Sequence, residues 1–162
     1  MPVSHRPRPR HPLVNSYWSA FFTLVRDKAP ELVEYLPGDT YNDYAFAPKA
    51  GRSGFMFIVG AGFYDEGTHI AVRVRIHDSK HAKDYFRALR NDKDEIEGEL
   101  GFPVDWELRP HEVHSIIQVQ RPFPLEDRSR WAEAHRWTLE RWRAFERVFR
   151  PRIKALPKPV AE

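Results

Sequence analysis

Between residues 70 and 76 the chain alternates without a break: Ile70, Val72, Val74 and Ile76 are apolar, while Ala71, Arg73 and Arg75 are small or cationic. Strict alternation marks a half-buried strand, because successive side chains leave opposite faces of a sheet. If helices cover one face of the sheet, Arg73 and Arg75 point to the other. Just upstream, residues 54–61 (GFMFIVGA) are apolar apart from their glycines, the pattern of a central strand buried on both faces. The intervening residues, including Asp65, Glu66 and Gly67, predict an antiparallel hairpin.

A second hairpin follows. Val104, Trp106 and Leu108 alternate with Asp105, Glu107 and Arg109, and Val113, Ser115, Ile117 and Val119 form the partner strand across a turn at 110–112. Helical spacing fills the rest. Asn15 or Ser16 offers a cap before Trp18, Phe21, Phe22 and Val25, and Pro30 then starts a short helix with Leu32, Val33 and Leu36. Asp78 or Ser79 is expected to cap a helix with the stripe Ala82, Phe86, Leu89, Ile96 and Leu100, stopped by Gly101. After Pro122 and Pro124, a last helix over about residues 126–152 carries Trp131, His135, Thr138, Trp142, Phe145 and Phe149 on one side. The order α-β-β-α-β-β-α predicts an α+β fold, an antiparallel sheet of two hairpins with helices mainly on one face.

Composition narrows the function. The 162 residues contain no cysteine, which excludes disulfide scaffolds, thiolate metal sites and cysteine nucleophiles. The longest apolar run, residues 55–63, is far short of the ~20 residues of a membrane span, and no apolar stretch follows the first arginines. A soluble, cytoplasmic protein without a membrane partner is expected. The formal charge is +3, and Arg6, Arg8 and Arg10 supply it, since the remainder balances. Residues 1–12 are read as a disordered basic arm, 13–156 as a single domain and 157–162 as a tail.

Several short motifs occur in a characteristic order: Tyr17-Trp18 with Phe21-Phe22, Ser53-Gly54-Phe55, Phe86 and Leu89, then Lys93 and Glu95-Ile96-Glu97 leading to Leu100-Gly101. Trp106, Trp131, Trp137 and the run Val148-Phe149-Arg150-Pro151 complete the set. In these the chain resembles the uncharacterised bacterial domain of unknown function family 4268, over about residues 16–156. Members of that family often sit at the C-terminus of restriction-like proteins of the PD-(D/E)XK nuclease kind. The resemblance implies association with nucleic-acid defence systems and carries over no catalytic residue. The sequence departs from it in the second strand, where relatives tend to have a glutamate and this chain has Arg73 and Arg75.

The basic candidates fall in three places. Arg136, Arg143, Arg147 and Arg150 share one side of the last helix, suited to phosphates or to a solvated face of ion pairs with Glu140 and Glu146. Arg73 and Arg75, with Glu107, Arg109, Gln118 and Gln120 nearby, form a polar sheet face that suits nucleic acid, a protein partner or a homodimer. The arm with Arg6, Arg8 and Arg10 suits a minor groove. A Mg²⁺-dependent nuclease reading requires Asp65, Asp78 and Lys80, but the Asp-x-Lys pair lies past the strand and the strand itself holds arginines. His111, Glu112 and His114 do not match a zinc helix, and His77, Asp78 and His81 are explained by a strand end and a cap. Gly60 and Gly62 lack a third glycine at dinucleotide spacing, so no cofactor is expected. The acidic stretch Asp92, Asp94, Glu95, Glu97 and Glu99 reads as a solvated face, with a basic partner molecule as the alternative.

These observations lead to an expected non-catalytic module that binds a partner, DNA or RNA first, in a restriction-like or phage-related system. The competing expectations are docking onto a nuclease or another defence protein, self-association, and the Mg²⁺-dependent nuclease.

Overall fold

A computed structural model describes residues 12–38, 41, 43–62 and 69–159. Helix α1 (Pro12–Lys28) leads through a 3-10 turn (Pro30–Tyr35) to strands β1 (Ala45–Phe46), β2 (Phe55–Ala61) and β3 (His69–Ile76). Helices α2 (Ala82–Asn91) and α3 (Lys93–Leu100) precede strands β4 (Asp105–Glu107) and β5 (Ser115–Pro122). A 3-10 turn (Arg128–Arg130) then enters the long helix α4 (Trp131–Ala155). The five strands form one antiparallel sheet in the order β1-β2-β3-β5-β4, with the helices on one face. This is the expected α+β architecture.

Phe57, Val74 and Ile117 form one cross-strand row under the helices, and Val59, Val72 and Val119 form the next. Against them α1 sets Tyr17, Trp18, Phe21 and Phe22, all at most 1% exposed, and α4 sets Trp142, Phe145 and Phe149, all fully buried. The ring of Phe46 joins the layers, 5.2 Å from Trp18 and 5.5 Å from Trp142, both edge to face. The Trp18 indole nitrogen donates to the Asp43 carbonyl at 2.8 Å, anchoring the short edge strand β1 to α1.

Local structure departs from the sequence expectations in several places; Val113, expected in the fourth strand, lies before β5 and is exposed, and the last helix starts at Trp131 rather than near residue 126. Pro12 opens α1, so Asn15 and Ser16 lie inside the helix rather than capping it. The apolar run at 54–61 is not a central strand buried on both faces: β3 is central, and Met56 and Ile58 are half-buried on the face without helices. The helix expected through residues 82–100 breaks at Asp92, whose backbone (φ −100, ψ 21) redirects α3 so that Ile96 and Leu100 are buried. Asp78 is not the N-cap of α2. It accepts hydrogen bonds from the amides of Lys80 (3.0 Å) and His81 (2.8 Å), closing the turn ahead of the helix. Gly54 permits this turn: at φ 87 it brings its backbone beside Asp78, where a Cβ would stand 2.8 Å from the aspartate Cβ.

His135 is 5% exposed in the aromatic core, its ring 4.4 Å from that of Tyr17. Burial pushes its pKa down from 6.5 to about 4, against the opposing pull of a hydrogen bond to the Tyr17 backbone. The unfolded chain takes up this proton first as pH falls. The contribution of a neutral His135 is thus complete above pH 6.5 and is lost between about 6.5 and 4, by up to ~1.4 kcal/mol per pH unit. Urea melts across this range should show that slope, and His135→Gln should reduce it; equal slopes in both chains would place the acid sensitivity elsewhere.

Candidate functional site

Two concave surfaces contain the arginines singled out from the sequence. The first, of about 550 Å³, lies between α4 and the 3-10 turn and is lined in part by Arg143, Arg147 and Arg150. Glu31, Glu140 and Glu146 line it too, so three arginines meet three carboxylates. Arg143 pairs with Glu31 at 2.9 Å, and Arg147 donates to the Glu99 carbonyl at the end of α3, at 3.3 Å. Arg150 is turned inward. It pairs with Glu146 at 2.5 Å and donates to the Lys49 carbonyl at 2.6 Å, while its guanidinium lies over Tyr35 and Phe57. Arg136 is exposed and has no ion-pair partner among the described residues. The row of four is therefore one solvated cation, two engaged at the rim and one internal tie.

A fifth arginine of α4, absent from the sequence-level row, explains the acidic stretch. Arg152 reaches Asp92 (3.6 Å), Glu95 (3.3 Å) and Glu99 (2.8 Å), gathering the carboxylates of α3 onto α4. The repulsion between Glu95 and Glu99 is thus offset within the chain, with no partner molecule needed. Sequence spacing could not show this, because Arg152 lies more than fifty residues from the acids it gathers.

The second surface is the face of the sheet without helices. One cross-strand row runs Met56, Arg75, Ile116, Glu107, and the next runs Ile58, Arg73, Gln118, Asp105. A cleft of about 580 Å³ opens over them, from Ala45 and Ala47 beside β1 to Arg109 and His114 at the β4–β5 turn. Half-buried Met56 and Ile58 form its apolar floor beside the buried Ile116, and its cations are Arg73, Arg75 and Arg109, the last also paired with Glu112 at 3.4 Å. No carboxylate is among its lining residues. Arg75 Nε is buried with no hydrogen-bond partner among the described residues. Glu107, adjacent to the cleft, accepts from the Gln118 amide and pairs with Arg109 at 2.9 Å.

The wall of this cleft is built with strain. Arg109 has φ 49, the one positive value outside glycine among the described residues. Lys83 of α2 holds the turn in place: its ammonium donates to the carbonyls of Leu108 (2.6 Å), Arg109 (2.7 Å) and His114 (2.9 Å) and lies 3.0 Å from Ser115 Oγ. Its pKa is lowered, first by desolvation. His114 sits 2.8 Å from Glu112, which pulls its pKa up, yet burial, and after it the charge of Arg75, lowers it, favouring the neutral imidazole. Neither the clamp nor the left-handed arginine has a local sequence signal.

The remaining candidates are not assembled into a site. Arg6, Arg8, Arg10 and Asp65 lie outside the described residues. Asp78 and Lys80 sit in the turn after β3, where the His81 amide, ahead of that of Lys80, holds the Asp78 carboxyl below its ordinary value against the opposing effect of burial. Among the described residues no group of three or more histidine, aspartate or glutamate side chains is placed to hold a metal ion. None of the described helices is long and apolar enough to cross a membrane.

Fold and site together define a two-layer α+β domain, helices over one sheet, with an arginine-lined cleft on the uncovered sheet face. A family model for a domain of unknown function, DUF4268, matches residues 13–153, and the chain belongs to that family. No curated protein and no solved structure matches it.

The two kinds of arginine on α4 should separate in stability measurements. Arg150→Ala removes an ion pair whose side chains are 15% and 10% exposed, together with a bond to the Lys49 backbone, and is expected to cost about 2–4 kcal/mol in urea unfolding. Arg136→Ala should stay within about 0.5 kcal/mol of the parent chain.

Proposed function

We propose that this chain is a non-catalytic interaction module that binds the backbone of nucleic acid. The observation that carries this reading is the sheet cleft, whose lining brings Arg73, Arg75 and Arg109 together while the acids that pair with Arg109, Glu107 and Glu112, stand outside it. Guanidinium groups suit phosphates because each offers a fork of donors and stays charged at all physiological pH values. The helix groove holds three carboxylates with its three arginines, so Arg143 and Arg147 are auxiliary contacts, and Arg136 adds a solvated cation outside that groove. Backbone contacts position a protein without reading sequence, so weak sequence preference follows. A role in a restriction-like or phage-related system, in the cytoplasm, agrees with the nuclease company that the family resemblance implies.

Docking to another protein or to a second copy is the alternative that the apolar floor favours, since half-buried Met56 and Ile58 suit any apolar ligand. Charge favours nucleic acid over a second copy, because a second copy would bring more arginines to the same face.

The test is fluorescence anisotropy of labelled random-sequence DNA, single-stranded and duplex, across a salt series with Mg²⁺ present. Arg73→Glu with Arg75→Glu should weaken binding at least tenfold and reduce the salt slope by about 2. The Arg73→Gln, Arg75→Gln pair guards against loss of folding, and DNA recovered afterwards should be intact. Arg143→Glu with Arg147→Glu should have the smaller effect. Unchanged affinity in the strand variants would overturn the reading, and cut DNA whose cutting is lost in Asp78→Asn would restore the nuclease.

A further inference from the structure

Resting on the nucleic-acid reading, we propose that the sheet cleft takes a single strand, with unpaired bases on the floor of Met56 and Ile58 and phosphates on Arg73 and Arg75.

The floor and the charges are interleaved. Arg75 stands between Met56 and Ile116 in one row, and Arg73 beside Ile58 in the next. Neighbouring strands are only ~4.8 Å apart, so each arginine is one strand away from an apolar side chain. A ligand that covers this surface must alternate apolar and anionic groups on the same short scale. A single strand does so, with a flat base and a phosphate in every nucleotide. In a duplex the bases are paired and stacked, and its outer surface would set sugar and hydrated phosphate against Met56 and Ile58.

Shape points the same way. Proteins that read a duplex insert a helix or a ribbon into its groove, and the protein is the convex partner. Here the protein is concave, and about 580 Å³ is the scale of a pocket for small molecules. One or two nucleotides enter such a space and a double helix does not. The guanidinium planes and the neutral His114 ring give the walls surfaces on which a base can stack. The Lys83 clamp on the Arg109 turn keeps the wall standing before the ligand arrives, which lowers the ordering cost of binding.

The experiment compares a labelled 12-nucleotide single strand, its blunt duplex and an abasic strand of equal length, with polyglutamate as competitor. The single strand should bind at least tenfold more tightly than either the duplex or the abasic strand. Met56→Ser with Ile58→Ser should lower that affinity several-fold while leaving the salt slope unchanged, because the lost contacts are not ionic. Arg75→Gln should lower affinity and slope together. Equal or tighter binding of the duplex, still dependent on Arg75, would overturn the single-strand proposal and leave the nucleic-acid reading standing. An abasic strand that binds as well as the intact one would overturn the role of the floor. Binding of polyglutamate in place of any DNA would overturn both and make the ligand an acidic polypeptide.

Discussion

The structure depends on how β3 divides its side chains. Ile70, Val72, Val74 and Ile76 are fully buried beneath the helices, and the same strand presents Arg73 and Arg75 to the other face. A shift of one residue in register would put both guanidinium groups into an aromatic core and four branched aliphatic side chains into water. Because β3 is the middle strand, bonded to β2 on one side and β5 on the other, its register sets theirs. The helices are confined to one side because the other side has been given charge.

What remains is how four helices are held over a single sheet. Apolar burial supplies the force, chiefly the rings of α1 and α4, but ion pairs and backbone contacts set the positions. Arg152 draws α3 onto α4, and Arg150 ties α4 to the segment before β2. Arg52 donates to the carbonyls of Ile153 (2.9 Å) and Leu156 (2.5 Å), closing the C-terminus of α4, and its second nitrogen reaches the Tyr85 hydroxyl of α2. Much of the basic charge is thus spent on internal geometry. In the sheet cleft Arg109 is engaged in the same way, by Glu107 and Glu112, while the lining itself holds no carboxylate.

Most elements were legible because their patterns are local. Alternation marked β3 and the second hairpin, and spacing of three and four marked the stripes of α1 and α4. The short strand β1 carried no such pattern; it exists because Phe46 fits between Trp18 and Trp142 and because Gly60 and Val59 offer it an edge. The break at Asp92 was hidden because Ile96 and Leu100 keep helical spacing across it. The site was half legible. Arg73 and Arg75 follow from the alternation, and the place of Arg109 near them follows from the hairpin. The inward turn of Arg150 was not visible, since Tyr35, Lys49 and Phe57 come to it from far along the chain.

The sequence by itself determined which side chains share a face, because the periods of strand and helix are set by backbone geometry within a few residues. It therefore determined the one-sided sheet, the aromatic core and the cationic face of β3. Tertiary structure decided which charges are satisfied and which remain available, because a charge is neutralised by whatever lies within a few ångströms, regardless of separation along the chain. Arg152 and Arg150 found partners in this way, Lys83 found three carbonyls that hold a strained turn, and Arg109, in the cleft of β2, β3 and β5, found Glu107 and Glu112 just outside the cleft lining.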